Sequence, residues 1–201
     1  MNPTKNGPSL LPGLERRSFA GDVELRAAAE GSKSPGTLVG YAAVFDSLSE
    51  DLCGFKERIA PGAFARALKD CDIRALRNHE PESLLGRLKS GTLRLAEDAR
   101  GLRMEVDLPD TTVGRDTAEM VRRGDMSGCS FSFQEKAVDW DYNSDPPVRT
   151  LRDVDVYDAG PVTYPAYRDT SVALRSLEQN RPAKPVPLDL LKNRIRLDQH
   201  F

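Results

Sequence analysis

Charged and apolar side chains alternate twice in quick succession between residues 84 and 110, LLGRLKSGTLRLAEDARGLRMEVDLPD, first in TLRLAE and again in LRMEVDL. Successive side chains of a strand point to opposite faces, so alternation with period two builds a half-buried β-strand. The glycine-containing breaks suit tight turns, and the stretch reads as two or three strands in succession. Similar patterns flank it. FAGDVELRAA from Phe19 reads as a first strand and TLVGYAAVF at 37–45 as a second, with Gly40 marking a bulge or a close backbone approach. CDIRALRNH at 71–79 reads as a strand that ends on His79. SGCSFSFQEKAVDW and RTLRDVDVYDAGPVTYPAY supply two more, separated by the turn-rich DYNSDPP.

Strict alternation also assigns faces. Cys129, Phe131 and Phe133 point one way, Ser130 and Ser132 the other. Further on, Leu151, Asp153, Asp155 and Tyr157 share one face, and Val154, Val156 and Asp158 share the opposite one. A carboxylate on a face with two valines needs a partner, because burying it alone is costly.

Helical signals are short. Pro61 suits a first helical turn, and Phe64 and Leu68 stand four apart, which predicts a helix over 61–69. TTVGRDTAEMVRRGD predicts a helix over 111–123, with Thr117, Met120 and Val121 inward and Gly124 as its stop. Residues 1–18, rich in Pro, Gly and Asn, read as a flexible N-terminal segment. Residues 19–177 form the domain. Residues 178–201 read as a Pro-rich linker, QNRPAKPVP, and a short amphipathic tail carrying Leu188, Leu191 and Ile195.

A chain of 201 residues suffices for one packed domain with tails. The formal charge of −2 shows no basic excess, so no specific nucleic-acid partner is expected. Three cysteines, Cys53, Cys71 and Cys129, cannot all pair within one chain, and a reducing compartment is the simpler reading. Their spacing, with His79 the one histidine away from the chain end, suits no structural zinc; neither metal nor cofactor is expected. No signal peptide and no membrane span is visible, so no membrane partner is expected.

Three residues carry the chemistry. His79 lies in ALRNHEPESLLGR, Ser130 in GCSFSF, and Asp158 closes an alternating run. A histidine, a serine and an acid at strand edges are the parts of a serine hydrolase. Serine Oγ is a poor nucleophile until a base removes its proton, histidine is the natural base near neutral pH, and an acid fixes its tautomer. The order His–Ser–Asp and the lack of a GxSxG elbow disfavour an α/β-hydrolase. Composition alone leaves Ser132 as a rival for Ser130, and Glu80 as a rival for Asp158.

Five blocks in order, GYAAVFDSLSE with FKERIAPGAF, ALRNHE with LLGR, GTLRLAED with GLRMEVDLP, RRGD with GCSFSF, and DVYDAGPVTYPAY, resemble the tailed-phage prohead proteases of the HK97 type, over about residues 20–177. The resemblance implies His79, Ser130 and Asp158 as the catalytic triad. Many relatives have Gly where Ser132 stands, Glu where Asp158 stands and Ser where Gly160 stands. It also implies a mainly β fold with flanking short helices, a herpesvirus-protease-like antiparallel β-barrel with both helices outside it. The implied function is a serine endopeptidase that cleaves scaffold protein, or the scaffolding segment of the major capsid protein, and processes itself. Its implied setting is the immature prohead in the host cytoplasm, against the capsid shell, with homo-oligomers as a further expectation. The alternative is a non-catalytic assembly protein of the same fold. In related herpesvirus proteases an arginine-bearing loop assists the oxyanion, and Arg168 lies in a comparable loop without a firm match in spacing.

Overall fold

The computed structural model describes residues 13–20 and 23–164. The first strands are β1 (Glu15–Phe19), β2 (Glu24–Arg26), β3 (Thr37–Val44) and β4 (Lys56–Ile59). After helix α1 (Ala67–Asp70) come β5 (Arg74–Leu76), β6 (Leu84–Arg87), β7 (Leu93–Glu97) and β8 (Gly101–Asp107). Helix α2 (Thr112–Arg122) then leads into the long hairpin of β9 (Gly128–Asp141) and β10 (Val148–Val162).

Two open sheets result. One runs β1-β9-β10-β5-β6, with β4 also paired to β10; the other runs β2-β3-β8-β7. The expected closed antiparallel barrel is therefore wrong, although the fold is mainly β with few, short helices. Neither sheet joins its own two edges, and pairing is not purely antiparallel: β10 runs parallel to both β4 and β5. Residues from both sheets meet in a shared apolar core that includes Leu38, Leu102, Met104, Phe131, Phe133 and Val154. Burial of those faces provides the main drive for folding.

The alternation in TLRLAE and LRMEVDL does become the hairpin β7–β8, with Leu93 opposite Val106 and Leu95 opposite Met104. Helix α2 also forms where its pattern places it. Thr111 caps it by accepting the Gly114 N–H at 3.3 Å, Thr117 and Val121 are buried, and Gly124 follows at φ +80°. The helix over 61–69 is shorter than expected. Residues 61–66 form turns and only Ala67–Asp70 is α-helical, while Phe64 is still fully buried. The segment read as flexible over 1–18 overlaps a strand, since Glu15–Phe19 pairs along β9. The linker, the amphipathic tail and Arg168 lie outside the described residues.

Candidate active site

Ser130 sits on β9, where Cys129, Phe131 and Phe133 turn into the core and Ser130 and Ser132 face away from it. Asp158 is on the neighbouring β10, directly opposite Ser132, and Gly160 is opposite Ser130. The alternation rule misplaces Asp158. Val156 pairs with Phe133, but Asp158 pairs with Ser132, so two steps on β10 match one step on β9. This β-bulge at Tyr157 reverses the facing of every later side chain. It carries Asp158 off the valine face and onto the serine face, where partners await it.

His79 comes from the turn after β5 rather than from a strand. Asn78 and His79 both hold left-handed backbone, at φ 55° and 59°. Such conformations cost non-glycine residues free energy, asparagine least, and persist only where the surroundings enforce them. Here the enforcement comes from Thr163 just beyond β10. Its N–H donates to Asn78 Oδ1 at 2.8 Å, and Asn78 Nδ2 donates to Thr163 Oγ1 at 3.2 Å. Gly160 permits the close approach of this turn: a Cβ there would lie 2.1 Å from the Leu76 carbonyl oxygen. A serine there would not fit this backbone.

The three predicted side chains meet. His79 Nδ1 is 2.5 Å from Asp158 Oδ1, and His79 Nε2 is 2.7 Å from Ser130 Oγ. A carboxylate facing Nδ1 requires the proton there, which leaves the Nε2 lone pair for the serine hydroxyl. Ser130 and Asp158 are buried, and the His79 side chain is 9% exposed. His79, Ser130 and Asp158 are thus positioned as a catalytic triad.

The two rivals resolve in the same geometry. Glu80 is exposed, and the carboxylate on His79 belongs to Asp158. Ser132 is fully buried and donates its hydroxyl to Asp158 Oδ2, so it partners the acid rather than the base. Period two placed Ser132 on the face of Ser130; that it bonds the acid depends on the bulge. Asn78 carried one local signal, the tolerance of asparagine for left-handed backbone. Cys129, next to the serine, is buried in the core, and that burial pushes its thiol up to about 12, far from thiolate chemistry at neutral pH.

Among the described residues no group of three or more His, Cys, Asp or Glu could hold a metal ion. No helix among them is long and apolar enough to cross a membrane.

Comparison with known proteins gives the same direction. The profile of the caudovirus prohead serine proteases matches residues 22–183. Among solved structures, the bacteriophage T4 capsid assembly protease is similar, with a TM-score of 0.53 and 11% identity over 75% of this chain and 98% of that one. At that identity the likeness concerns the fold alone. No curated protein matches.

Proposed function

The chain belongs to the caudovirus prohead serine protease family, and from that premise we propose that Ser130 is its nucleophile, His79 its base and Asp158 its orienting acid. The observation that carries this reading is the unbroken relay from Asp158 through His79 to Ser130, at 2.5 and 2.7 Å. As Ser130 Oγ bonds to a peptide carbonyl carbon, its proton passes to His79 Nε2, and Asp158 stabilises the resulting imidazolium. His79 then gives that proton to the leaving amine, and the peptide C–N bond breaks. Water, deprotonated by the same nitrogen, releases the acyl group from Ser130.

The substrate proposed is scaffold protein, or the scaffolding segment of the major capsid protein, met inside the immature prohead in the host cytoplasm. Self-processing, contact with the capsid shell and homo-oligomer formation belong to the same proposal. So does the division into a domain over 19–177 with flanking segments, apart from β1, a strand that begins at residue 15. Incubation of purified protein with its cognate scaffold tests the reading. Wild type is expected to give discrete fragments and Ser130→Ala none; identical patterns from the two would refute it. The full burial of Ser130 favours one second reading, a non-catalytic assembly protein. Reaction of Ser130 with a fluorophosphonate probe excludes that reading.

A further inference from the structure

Strand β1 both covers Ser130 and competes for its proton. It runs antiparallel along β9 with Ser18 opposite Ser130. Ser130 Oγ donates to the Arg17 carbonyl oxygen at 2.9 Å, while His79 Nε2 waits 2.7 Å away. A hydroxyl carries one proton. With the Nδ1 proton committed to Asp158, the Nε2 lone pair and the Arg17 carbonyl are two acceptors for that proton. Whenever Arg17 holds it, the base has nothing to remove.

Three further observations set β1 apart. It lies ahead of the family match, which begins at residue 22. Among the described residues it is an edge strand paired with β9 alone, so it holds the row of backbone groups that an extended peptide would use to add itself to the sheet. Beyond its ladder to β9, it is also fastened by charge. Arg17 bonds Glu57 at 2.7 and 3.1 Å and also bonds Glu15, while Arg149 bonds Glu15 at 2.6 and 3.0 Å. Phe19, stacked on Phe131 at 6.3 Å, adds an apolar contact.

We propose that β1 is an autoinhibitory strand: it occupies the edge of β9 that an extended substrate peptide must pair with, and its Arg17 carbonyl withholds the Ser130 proton. The protein is then held at low activity as folded and becomes fully active when β1 leaves. This rests on Ser130 being the nucleophile.

The full-length double variant Glu15→Ala/Arg17→Ala removes the two charges of β1 that enter the buried ion pairs, keeps Arg16, and leaves Arg149 with Glu57 and Glu135. Hydrogen exchange of residues 15–19 reads the release of β1, and mass spectrometry reads fluorophosphonate labelling of Ser130. Faster exchange with labelling at least tenfold faster than wild type is expected. A second variant, F19C, places a thiol opposite Cys129. Its oxidised, cross-linked form should label more slowly than its reduced form. Release of β1 with unchanged labelling, or equal labelling of oxidised and reduced F19C, overturns the proposal while leaving the triad intact. Absence of labelling in every form, the released one included, overturns the triad reading itself.

Discussion

The β9–β10 pair carries a buried polar cluster on each face, and the two are built on opposite principles. On the face turned from the core, Ser132, Asp158, His79 and Ser130 form a chain in which each link is a hydrogen bond. On the other face, around the rings of Phe55 and Phe133, Glu15, Arg17, Glu57, Glu135 and Arg149 form a lattice of ion pairs. Arg149 is fully buried and bonds three carboxylates. Protons can shift along the first cluster with little change in geometry. In the second, every group is charged and multiply held, and removing one leaves its neighbours uncompensated. A buried network therefore says nothing by itself about catalysis; its capacity to move a proton does.

The largest effect tests the chain. Asp158→Asn should retain the fold by circular dichroism yet lower turnover about 10⁴-fold, as for a triad whose acid becomes an amide. His79→Ala should abolish cleavage. Near-normal initial rates in either folded variant would break the contrast between the clusters.

The lattice should fail differently. Arg149→Ala should cost about 3–5 kcal/mol of folding stability, because three carboxylates lose a shared cation in a buried site. Denaturant titration measures it, and a loss within about 1 kcal/mol would mean that water replaces the guanidinium readily. Acid should attack the same place. Burial alone would raise the Glu57 carboxyl, but the neighbouring Arg17 and Arg149 outweigh it and hold the group below its ordinary 4.5. Its contribution is then full above that ordinary value and is lost as pH falls through the lower, folded one. Thermal melts should lose stability across that window more steeply in wild type than in Glu57→Gln.

The smallest effect sharpens the chain. Ser132→Ala removes one hydrogen bond from the Asp158 carboxylate and should lower kcat by about ten- to a hundredfold with KM unchanged, matching about 1.5–3 kcal/mol for a bond to a charged group. An unchanged kcat would confine Ser132 to packing.

Residue types and spacing were enough for much of this. Alternation located β7, β8 and β9, the spacing of Thr117, Met120 and Val121 with the terminal glycine located α2, and the motif blocks carried His79, Ser130 and Asp158. Each of these signals is local: a period, a cap, or a run of neighbours in sequence. The closure of the sheet was not legible, because period two says which residues share a face and nothing about which strands become neighbours. The resemblance supplied a barrel, and strand order decided on two open sheets with parallel pairs to β10.

The site divides in the same way. Sequence determined that a histidine, a serine and an acid of the kinds a triad uses are present. Tertiary structure decided how they face one another, through the bulge at Tyr157, the left-handed pair Asn78–His79 held by Thr163, and the close approach allowed by Gly160. It alone also placed Arg17 against Ser130 and gathered five charged residues from β1, β4, β9 and β10. Those contacts join residues as far apart as 134 positions, and their free energy depends on burial and exact partner geometry, which no local pattern encodes.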